Sequence, residues 1–251
     1  MEKLNPKTPF FNTKSALNKY SQAVDSVGLW ESEKKLVKMF CPNVNDYILD
    51  VGCGAGRTTF GLYRMGYKNI IGIDISEKLV AFAKDYANKN NIPIPIILGD
   101  AVQMPFKSDT FDFALFSYNG LTGIPTEIRR LQIVNEIYRV LKAGAYFVFC
   151  AHDRDECEHN RTFWLNEKKR WETNDENPSL YEYGDVIFSN DSGKTFEFLH
   201  YYSIDEMKRF ISKSRFTLIR HISRKNISTE PKSVLDFSQE TMFWILRKPK
   251  Q

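Results

Sequence analysis

The stretch Tyr47–Arg57, Y-I-L-D-V-G-C-G-A-G-R, decides the fold of this chain. A short apolar run passes directly into a turn, Gly52–Gly56, that carries three glycines. A buried strand followed by a glycine-rich turn is typical of the first βα unit of a parallel sheet, where ligands bind. One acid, Asp50, stands just before the turn, and a second, Asp74, ends the next apolar run, I-I-G-I-D. The stretch therefore predicts a parallel sheet with a ligand site at this turn.

Apolar runs alternate with helical patterns up to residue 150. Ser76 is a good N-cap for the second of these helices. Pro125 can open the helix before the fifth strand, and Gly144 can end it. Because the strands are apolar throughout, we predict a parallel sheet that helices cover on both faces. The predicted strands are Tyr47–Val51, Asn69–Asp74, Pro95–Leu98, Phe111–Ser117 and Ala145–Cys150.

The alternation stops at residue 151. Residues 151 to about 200 are rich in aromatic and charged side chains, and the turn signal N-D-S-G predicts a hairpin between Val186–Phe188 and Thr195–Tyr201. Ser203 and Glu206 have the spacing of a capping box, which predicts a helix start. Two further strands are predicted at Phe216–Ile222 and Thr241–Leu246. At the other end, residues 1 to about 20 are expected to be loosely structured, and Trp30–Phe40 to form an amphipathic helix.

Composition indicates an ordinary soluble globular protein with one main domain. The chain has 251 residues, 42% of them hydrophobic and 26% charged, and no apolar stretch approaches the ~20 residues of a membrane span. The N-terminus has no apolar signal core, so we expect a cytoplasmic protein without a membrane partner. The four cysteines have no C-x-x-C spacing, which favours reduced, structural thiols. The net charge of +4 permits nucleic acid as a partner but does not demand it.

The glycine turn separates two kinds of cofactor site. Its spacing puts Arg57 where a dinucleotide fingerprint has its third glycine. Asp50 would also repel a diphosphate, by roughly 4 kcal/mol at ~4 Å and an effective dielectric constant of ~20. The same carboxylate would favour the sulfonium and ammonium groups of S-adenosylmethionine. These two residues therefore favour S-adenosylmethionine and disfavour a nicotinamide-dependent oxidoreductase.

Acids recur at the ends of the second and third predicted strands. Asp74 can accept two hydrogen bonds from a ribose diol, and Asp100 can accept one from an adenine amino group. A helix-capping acid is an alternative role for Asp74 that is compatible with ribose binding, and a surface turn residue is the alternative for Asp100. Acids at three successive strand ends are more specific than any one of them.

The chain resembles class I S-adenosylmethionine-dependent methyltransferases of the broad small-molecule type. The resemblance implies an α/β fold with a doubly wound, seven-stranded, mostly parallel Rossmann-like sheet whose last strand is antiparallel. It also implies an N-terminal helical segment and an inserted cap between strands 5 and 6. The stretches that carry the resemblance are L-D-V-G-C-G-A-G, G-I-D-I-S, G-D-A-V-Q-M-P-F, F-D-F-A-L-F and E-I-Y-R-V-L-K-A-G-A, within about residues 47 to 150.

The resemblance also assigns cofactor contacts to ten residues. The end of the first strand and the glycine turn would hold the methionine portion of the cofactor. The end of the second strand would bind the ribose and one face of adenine. The residues after the third strand would contact the edge of adenine. The residue that ends the fourth strand would line the sulfonium side, although a buried hydroxyl is an equal alternative for it. Tyr20 resembles an N-terminal tyrosine that closes over the cofactor in some relatives. The ten residues are Asp50, Gly52, Cys53, Gly54, Gly56, Asp74, Ile75, Asp100, Ala101 and Ser117.

By the same resemblance, residues 1–45 would be an N-terminal helical cap segment and residues 46–251 the methyltransferase domain. The insert of about residues 151–200 would be the acceptor-side cap. Its aromatic side chains suit a hydrophobic pocket, a cage that accommodates a cation, or a small core of the cap itself. We expect no metal site, because His152, Asp153, Cys157 and His159 fit no standard zinc spacing.

The acceptor is predicted to be a small molecule that is methylated at an N or O atom. S-Y-N-G, which follows the fourth strand, lacks the Asn/Asp-Pro-Pro-aromatic run of enzymes that methylate base or glutamine nitrogens. His152 is the candidate catalytic residue, as a base or acceptor ligand, and a polar strand end is the alternative. Two other functions stay open. One is a tRNA methyltransferase, suggested by H-Y-Y at 200–202, and the other is a non-catalytic S-adenosylmethionine-binding protein.

Overall fold

The structure is a computed structural model that describes residues 10–156, 161–190 and 195–250. The described residues form nine helices, nine strands and a short 3₁₀ helix at Phe10–Asn12. The strands are β1 Ile48–Val51, β2 Ile70–Asp74, β3 Ile96–Leu98, β4 Phe111–Phe116, β5 Leu141–Ala151, β6 Asp185–Asn190, β7 Thr195–His200, β8 Thr217–Ser223 and β9 Met242–Arg247. The helices are α1 Lys14–Ser26, α2 Glu31–Phe40, α3 Arg57–Arg64, α4 Glu77–Lys89, α5 Glu127–Val140, α6 Arg161–Thr173, α7 Ile204–Ser212, α8 Arg224–Ile227 and α9 Lys232–Phe237.

Seven of the described strands form one sheet in the order β3-β2-β1-β4-β5-β9-β8. The pairs from β3 to β5 are parallel, and β9 runs antiparallel to both β5 and β8. The predicted fold class is therefore confirmed, with the last strand as the antiparallel one. The strand order reverses beside β1, so the crevice between the ends of β1 and β4 is the topological switch point where such sheets bind ligands.

The sheet is buried on both faces because its central strands are apolar throughout. Ile48 and Phe113 belong to a core cluster on the face that α1 to α4 cover, together with Leu36 and Leu79. The neighbouring residue Leu49 belongs to the cluster on the opposite face, which α5 and α7 cover. Successive strand residues thus alternate between two cores, which is the pleat of a sheet covered on both sides.

The N-terminal segment is more ordered than predicted. Helix α1 begins at Lys14, within the part that was expected to be loosely structured, so this prediction was wrong for residues 14–20. The Thr13 hydroxyl caps the helix by accepting a hydrogen bond from the Ala16 amide at 3.1 Å. Ala16, Ala23 and Val24 are buried. These small side chains let α1 pack closely while most of its surface stays polar, which hides the helical pattern in the sequence.

The boundary between α5 and β5 also differs from the prediction. The helix begins at Glu127, where Thr126 is the N-cap, and not at Pro125. Strand β5 begins at Leu141, so Gly144 lies inside the strand and does not end the helix. Its φ of +84° coincides with an irregularity in the pairing of β4 with β5. A bulge of this kind lets the strand continue past a residue that normally interrupts it.

The predicted hairpin and capping box of the insert are confirmed. Strands β6 and β7 pair antiparallel in a sheet of their own, although the turn residues 191–194 lie outside the described part of the chain. Ser203 and Glu206 form the capping box of α7. Helix α6 was not predicted. Among the residues described, no helix combines the length and the apolar character that crossing a lipid bilayer requires.

The cysteines that the structure describes fit the structural role expected of them. Cys41, Cys53 and Cys150 are free and buried. Burial raises the pKa of all three thiols, so they stay protonated near neutral pH. Cys157 lies outside the described residues.

Candidate cofactor and acceptor site

A cavity of about 340 Å³ lies at the carboxyl ends of β1 to β4. Its volume falls in the range of small-molecule sites, roughly 300–1,000 Å³. Residues at the strand ends or directly after them form one wall, among them Gly52, Asp74, Gly99 and Ser117. The opposite wall comes from the N-terminal segment, the loop after β4, the hairpin strand β7 and α9. The cavity thus lies at the switch point of the sheet, where the sequence predicted a ligand.

The glycine turn brings backbone directly to the cavity wall. Gly52 and Gly54 have φ values of +62° and +53°, a region that side chains disfavour. A Cβ on Gly52 would lie 2.3 Å from the Phe116 ring, so no side chain fits there. A Cβ on Gly54 would have only Leu79 nearby, at 3.8 Å. Its absence therefore leaves room for a ligand against the backbone.

Asp74 lines the cavity and is tied to the glycine turn. Its Oδ2 accepts a hydrogen bond from the Gly54 amide at 2.8 Å, and its Oδ1 accepts one from the Ser76 amide at 2.7 Å. Burial raises the pKa of this carboxyl, and the backbone hydrogen bonds oppose that shift. A carboxylate oxygen can accept more than one hydrogen bond, so both oxygens keep capacity for a diol.

Asp50 is placed differently from Asp74. Its carboxylate lies beneath the glycine turn and is not part of the cavity wall. Oδ2 accepts hydrogen bonds at 2.5 Å from the hydroxyls of Thr58 and Thr59, and Oδ1 is buried without a partner among the described residues. Burial raises the pKa of Asp50 to about 6, against the opposing hydrogen bonds and the charge of Arg57. Direct contact between Asp50 and a cofactor stays a prediction.

The residues that follow β2 and β3 meet at one end of the cavity. Ile75, Asp100 and Ala101 all line it, and Ile75 is 47% exposed. The Asp100 carboxylate accepts a hydrogen bond from the Val102 amide at 3.0 Å and pairs with Arg129 at 3.1 Å. These contacts fix the orientation of an acid at the position where the sequence predicted one that reads adenine.

Arg57 lines the cavity, but its charge is balanced by Glu33. It donates two hydrogen bonds to the Glu33 carboxylate, at 2.7 and 2.8 Å, and one to the hydroxyl of Ser117 at 2.8 Å. Ser117 also hydrogen-bonds Glu33. Because Glu33 neutralises the only arginine of the turn, no cation is left there to attract a diphosphate. Ser117 lines the cavity and is also a buried, engaged hydroxyl, so both interpretations of this residue hold.

The loop after β4 carries two residues in the left-handed region, Tyr118 at φ +49° and Asn119 at φ +59°. Such a conformation costs of order 1–3 kcal/mol per residue and persists where its surroundings enforce it. Tyr118 stacks on Phe237 at 4.5 Å between ring centroids and donates its hydroxyl to the Phe237 carbonyl at 3.1 Å. Both strained residues line the cavity, which places a tightly held aromatic ring opposite the glycine turn.

His152, the candidate catalytic residue, does not line the cavity. Its Nδ1 lies 2.8 Å from the Glu240 carbonyl, which can only accept, so Nδ1 carries the proton. Nε2 then accepts a hydrogen bond from the Asn119 amide group at 2.8 Å. Burial lowers the pKa of this histidine, which favours the neutral ring. Both nitrogens are occupied, and the structure places His152 behind Asn119 as a support for the loop.

A second polar cluster lies at the end of the β6–β7 hairpin where Asp185 pairs with His200. Ligand atoms of Glu182, Asp185 and His200 lie within 4.8 Å of one another, the only such group among the residues described. Arg130 already pairs with Glu182 at 2.5 Å, and His200 Nδ1 pairs with Asp185 at 2.7 Å. A fixed guanidinium therefore supplies the cation that these acids require, and the cluster makes no case for a metal.

The geometry bears on H-Y-Y, the motif that suggested a tRNA methyltransferase. The three rings of H-Y-Y are buried, with His200, Tyr201 and Tyr202 exposed by 9% or less, so they offer no free face to a nucleic-acid base. Of the four residues considered and rejected as a zinc site, Cys157 and His159 lie outside the described part of the chain.

Most of the ten predicted cofactor residues come together in the cavity wall. Asp50 and Gly56 do not line it, and Gly56 is instead the N-cap of α3. Sequence reasoning missed most of the opposite wall. Tyr118 was within the quoted S-Y-N-G motif, and Phe11, Glu197 and Phe198 fall within the predicted cap segments, although of the wall residues in those segments only Tyr20 was singled out. The predicted residues that line the cavity are Gly52, Cys53, Gly54, Asp74, Ile75, Asp100, Ala101 and Ser117, and the missed ones include Phe11, Tyr118, Glu197, Phe198 and Phe237.

Residues 48–144 match a protein-family model described as a methyltransferase domain. This segment spans β1 to the first part of β5 and contains the glycine turn and both lining acids at strand ends. Residues 48–144 are a class I S-adenosylmethionine-dependent methyltransferase domain. The match ends before the insert, so the methyltransferase domain accounts for the cofactor wall of the cavity and not for the hairpin wall.

Several curated relatives of the methyltransferase domain carry the names of quinone methyltransferases, and others those of sterol methyltransferases. The chain is 37% identical over 127 residues to a 2-phytyl-1,4-naphtoquinone methyltransferase of Synechococcus elongatus, which covers 48% of this chain and 52% of that protein. It is 33% identical over 108 residues to a demethylmenaquinone methyltransferase of Lactiplantibacillus plantarum, and the alignment covers 41% of this chain and 44% of that protein. The chain thus spans about half the length of these relatives.

A solved structure extends the likeness beyond the methyltransferase domain at the level of fold. A SAM-dependent methyltransferase of Methanosarcina mazei superposes with a TM-score of 0.68 at 21% identity, over 86% of this chain and 98% of that one. At this identity the likeness concerns the fold alone.

The cofactor of this domain class is S-adenosyl-L-methionine, and the cavity residues suit it. The cavity presents the Asp74 carboxylate to a diol and open space above Gly54. Its one arginine beside the turn is neutralised by Glu33. This donor set fits a ligand with hydroxyls and a positive charge better than one with a diphosphate.

Proposed function

We propose that the chain transfers a methyl group from S-adenosyl-L-methionine to an N or O atom of a small-molecule acceptor. One observation supports this proposal: the same cavity has a polar wall and an aromatic wall. Asp74 and the glycine turn belong to the first, and aromatic side chains such as Tyr118 and Phe198 belong to the second. One wall suits the cofactor, and the other suits an apolar acceptor held in line with it.

The cofactor seat is proposed from the wall that follows β1 to β4. Asp74 accepts the ribose hydroxyls, and the backbone at Gly52 and Gly54 lies against the methionine portion. Ile75 and the residues after β3, Asp100 and Ala101, surround adenine, and Cys53 and Ser117 lie nearer the sulfonium. Asp50 acts from beneath the turn by adding negative potential. Gly56 fixes the start of α3, and so the position of the turn.

The acceptor seat is proposed from the opposite wall. Residues 1–45 form a cap segment, and Phe11 and Tyr20 from it line the cavity. The insert of about residues 151–200 forms the acceptor-side cap of the domain of residues 46–251, and β7 contributes Phe198 and Leu199. The aromatic side chains of the insert thus serve the cavity and also its own packing, since Trp164 is buried against Tyr183 and Tyr201.

The choice of N or O atoms rests on acceptors that react without a general base. The bound cofactor would supply an already activated methyl group, so the chain mainly aligns the reactants and excludes water. No histidine is among the described residues that line the cavity. Burial raises the pKa values of the Tyr20 and Tyr118 hydroxyls, so they stay protonated. A neutral amine or a readily ionised hydroxyl needs no base, and such an acceptor fits this cavity.

Calorimetric titration of the full chain tests the proposal. We expect S-adenosylmethionine and S-adenosylhomocysteine to bind at one site, and NAD not to bind there. Methyl-labelled S-adenosylmethionine, incubated with the chain and a panel of amines, phenols and quinols, should then yield labelled product. Binding of NAD without S-adenosylmethionine would refute the proposal. Cofactor binding with no turnover over the whole panel would instead support a non-catalytic binding protein.

A further inference from the structure

The cavity has one acid that the cofactor assignment leaves unused. Its described lining contains three carboxylates, and two of them, Asp74 at the end of β2 and Asp100 after β3, belong to the cofactor wall. The third, Glu197, belongs to β7 on the opposite wall and has neighbours of apolar character, Phe198 and Leu199. A charged carboxylate in such a wall needs a partner of opposite charge.

A cation from α1 fills that need in the structure. The Lys19 ammonium lies 3.7 Å from the Glu197 carboxylate. The same ammonium lies 5.5 Å from the ring centroid of Tyr20 and 5.5 Å from that of Tyr118. Both distances are within the range of cation–π attraction, which is about 6 Å. One carboxylate and two aromatic rings therefore converge on a single cationic position at the cavity.

We propose that this position, formed by Glu197, Tyr20 and Tyr118, is a subsite for a cationic ammonium group of the acceptor. We call it the ammonium subsite. In the absence of an acceptor, the Lys19 side chain occupies it as a stand-in. The inference rests on the proposed function, since it names the chemical class of the acceptor in the same cavity.

The contact between Lys19 and Glu197 is long, although the ammonium also interacts with the Tyr118 hydroxyl. Its 3.7 Å separation is longer than that of a charge-assisted hydrogen bond, about 2.7–2.9 Å. The side chain is 39% exposed, whereas the Glu197 side chain is only 17% exposed. Lysine side chains are flexible, and exposed ion pairs contribute little stability. The carboxylate is therefore a fixed part of the wall, and the ammonium group can move into solvent.

The ammonium group recognises the acceptor and is not the atom that is methylated. A protonated amine has no free electron pair, and a carboxylate beside two aromatic rings favours the protonated form. The acceptor must therefore carry a second, neutral nucleophile that reaches the methyl group while its cation is held at the ammonium subsite. This separates the chemical group that gives affinity from the one that reacts.

The test uses the full chain saturated with S-adenosylhomocysteine, and two probes of the same shape. Benzyltrimethylammonium carries the cation, and neopentylbenzene is its neutral isostere. We expect the cation to bind about tenfold more tightly than the isostere, measured by calorimetry.

Two variants should shift the affinity for benzyltrimethylammonium in opposite directions. Lys19→Met removes the internal competitor and should raise the affinity about tenfold, whereas Glu197→Gln should lower it about tenfold. Neither should change the affinity for S-adenosylhomocysteine. Lys168 and Glu172, an exposed pair on α6 with a 4.0 Å separation, supply the matched controls Lys168→Met and Glu172→Gln, which should change neither affinity.

Several results would overturn the inference. They are equal binding of the two probes, no binding of the cation to the Lys19→Met variant, or a loss of affinity in both Lys19 and Glu197 variants. The last result would mean that the pair only latches α1 to the hairpin. If S-adenosylhomocysteine binds and the cation is not preferred, only the ammonium subsite fails. If S-adenosylhomocysteine does not bind at all, the proposed function fails with it.

Discussion

Glu33 and Arg57 form a buried ion pair that joins α2 to the start of α3. The pair has two hydrogen bonds, at 2.7 and 2.8 Å, and its side chains are 0% and 9% exposed. Arg57 also donates to the Gly28 carbonyl at 2.7 Å, and its guanidinium lies 4.9 Å from the centre of the Trp30 ring. The N-terminal helices are thereby fixed to the residue that directly follows the glycine turn.

Removing one member of this pair should destabilise the fold strongly. Glu33→Gln leaves the Arg57 charge buried and unbalanced, and we expect the free energy of unfolding to fall by about 3–5 kcal/mol in denaturant titrations. Glu31→Gln is the control, since Glu31 is 44% exposed in its pair with Lys34 and should contribute less than about 1 kcal/mol. Equal losses in the free energy of unfolding would show that the buried pair stabilises the fold no more than the exposed pair does.

Asp74→Ala should weaken the binding of S-adenosylhomocysteine. The substitution removes hydrogen bonds to a charged acceptor, worth about 1.5–3 kcal/mol, or roughly 10- to 150-fold in the dissociation constant. Calorimetry measures the change, and thermal unfolding checks that the turn still folds without the bond to Gly54. Asp85→Ala, in an exposed pair with Lys89 on α4, is the control. Normal binding by Asp74→Ala would disprove the ribose assignment.

The stability of the chain should depend on pH through Asp50. Its pKa is raised from 3.8 to about 6 in the folded state, so folding favours the protonated carboxyl. The free energy of unfolding that this group contributes is therefore present below pH 4 and is lost as the pH rises through 6, by about 3 kcal/mol in total. Asp50→Asn cannot ionise, so its stability relative to the wild type should increase by this amount between pH 4 and pH 7.

Urea titrations of both proteins at several pH values test the expectation for Asp50. Parallel curves of stability against pH would mean that the carboxylate is ionised without penalty in the folded protein. A difference in the free energy of unfolding that grows with pH would show that ionisation of Asp50 destabilises the folded protein.

His152 is expected to act as a positioning residue. In His152→Gln the amide oxygen can accept the Asn119 hydrogen bond and the amide NH₂ can donate to the Glu240 carbonyl, so stability should stay close to wild type. His152→Leu leaves both partners unpaired, and we expect a loss of about 1–3 kcal/mol in the free energy of unfolding. Once an acceptor is known, turnover separates the roles. Loss of a general base would cost 10²- to 10⁴-fold, whereas His152→Gln should cost less than tenfold.

The cofactor half of the molecule was predictable because its signals are local. The strand and turn at Tyr47–Arg57 and the caps at Ser76 and Ser203 are each set by residues a few positions apart, and the structure confirms these elements. Asp74 at the end of β2 and Asp100 after β3 come together because the carboxyl ends of parallel strands meet at one edge. The positions of these acids relative to the strands were therefore enough to predict that both lie at one cavity.

The remainder depended on distant contacts. Arg57 was read as an argument against a dinucleotide, but its partner Glu33 lies 24 positions earlier and carries no motif. The side on which Glu197 projects depends on the register of a hairpin that the sequence only approximates. His152 was interpreted from its place after a strand, whereas its role is set by Asn119 and Glu240 on separate segments. Contacts between residues so far apart produce no periodic pattern in the amino-acid sequence.

The hairpin of β6 and β7 shares no hydrogen-bonded strand with the seven-stranded sheet. Its sequence can therefore diverge without disturbing the register of the strands that carry the cofactor wall. Under the proposed function, exchange of this one hairpin would change the acceptor. A hairpin transplanted from a homologue would then bring its own selectivity to an unaltered cofactor wall.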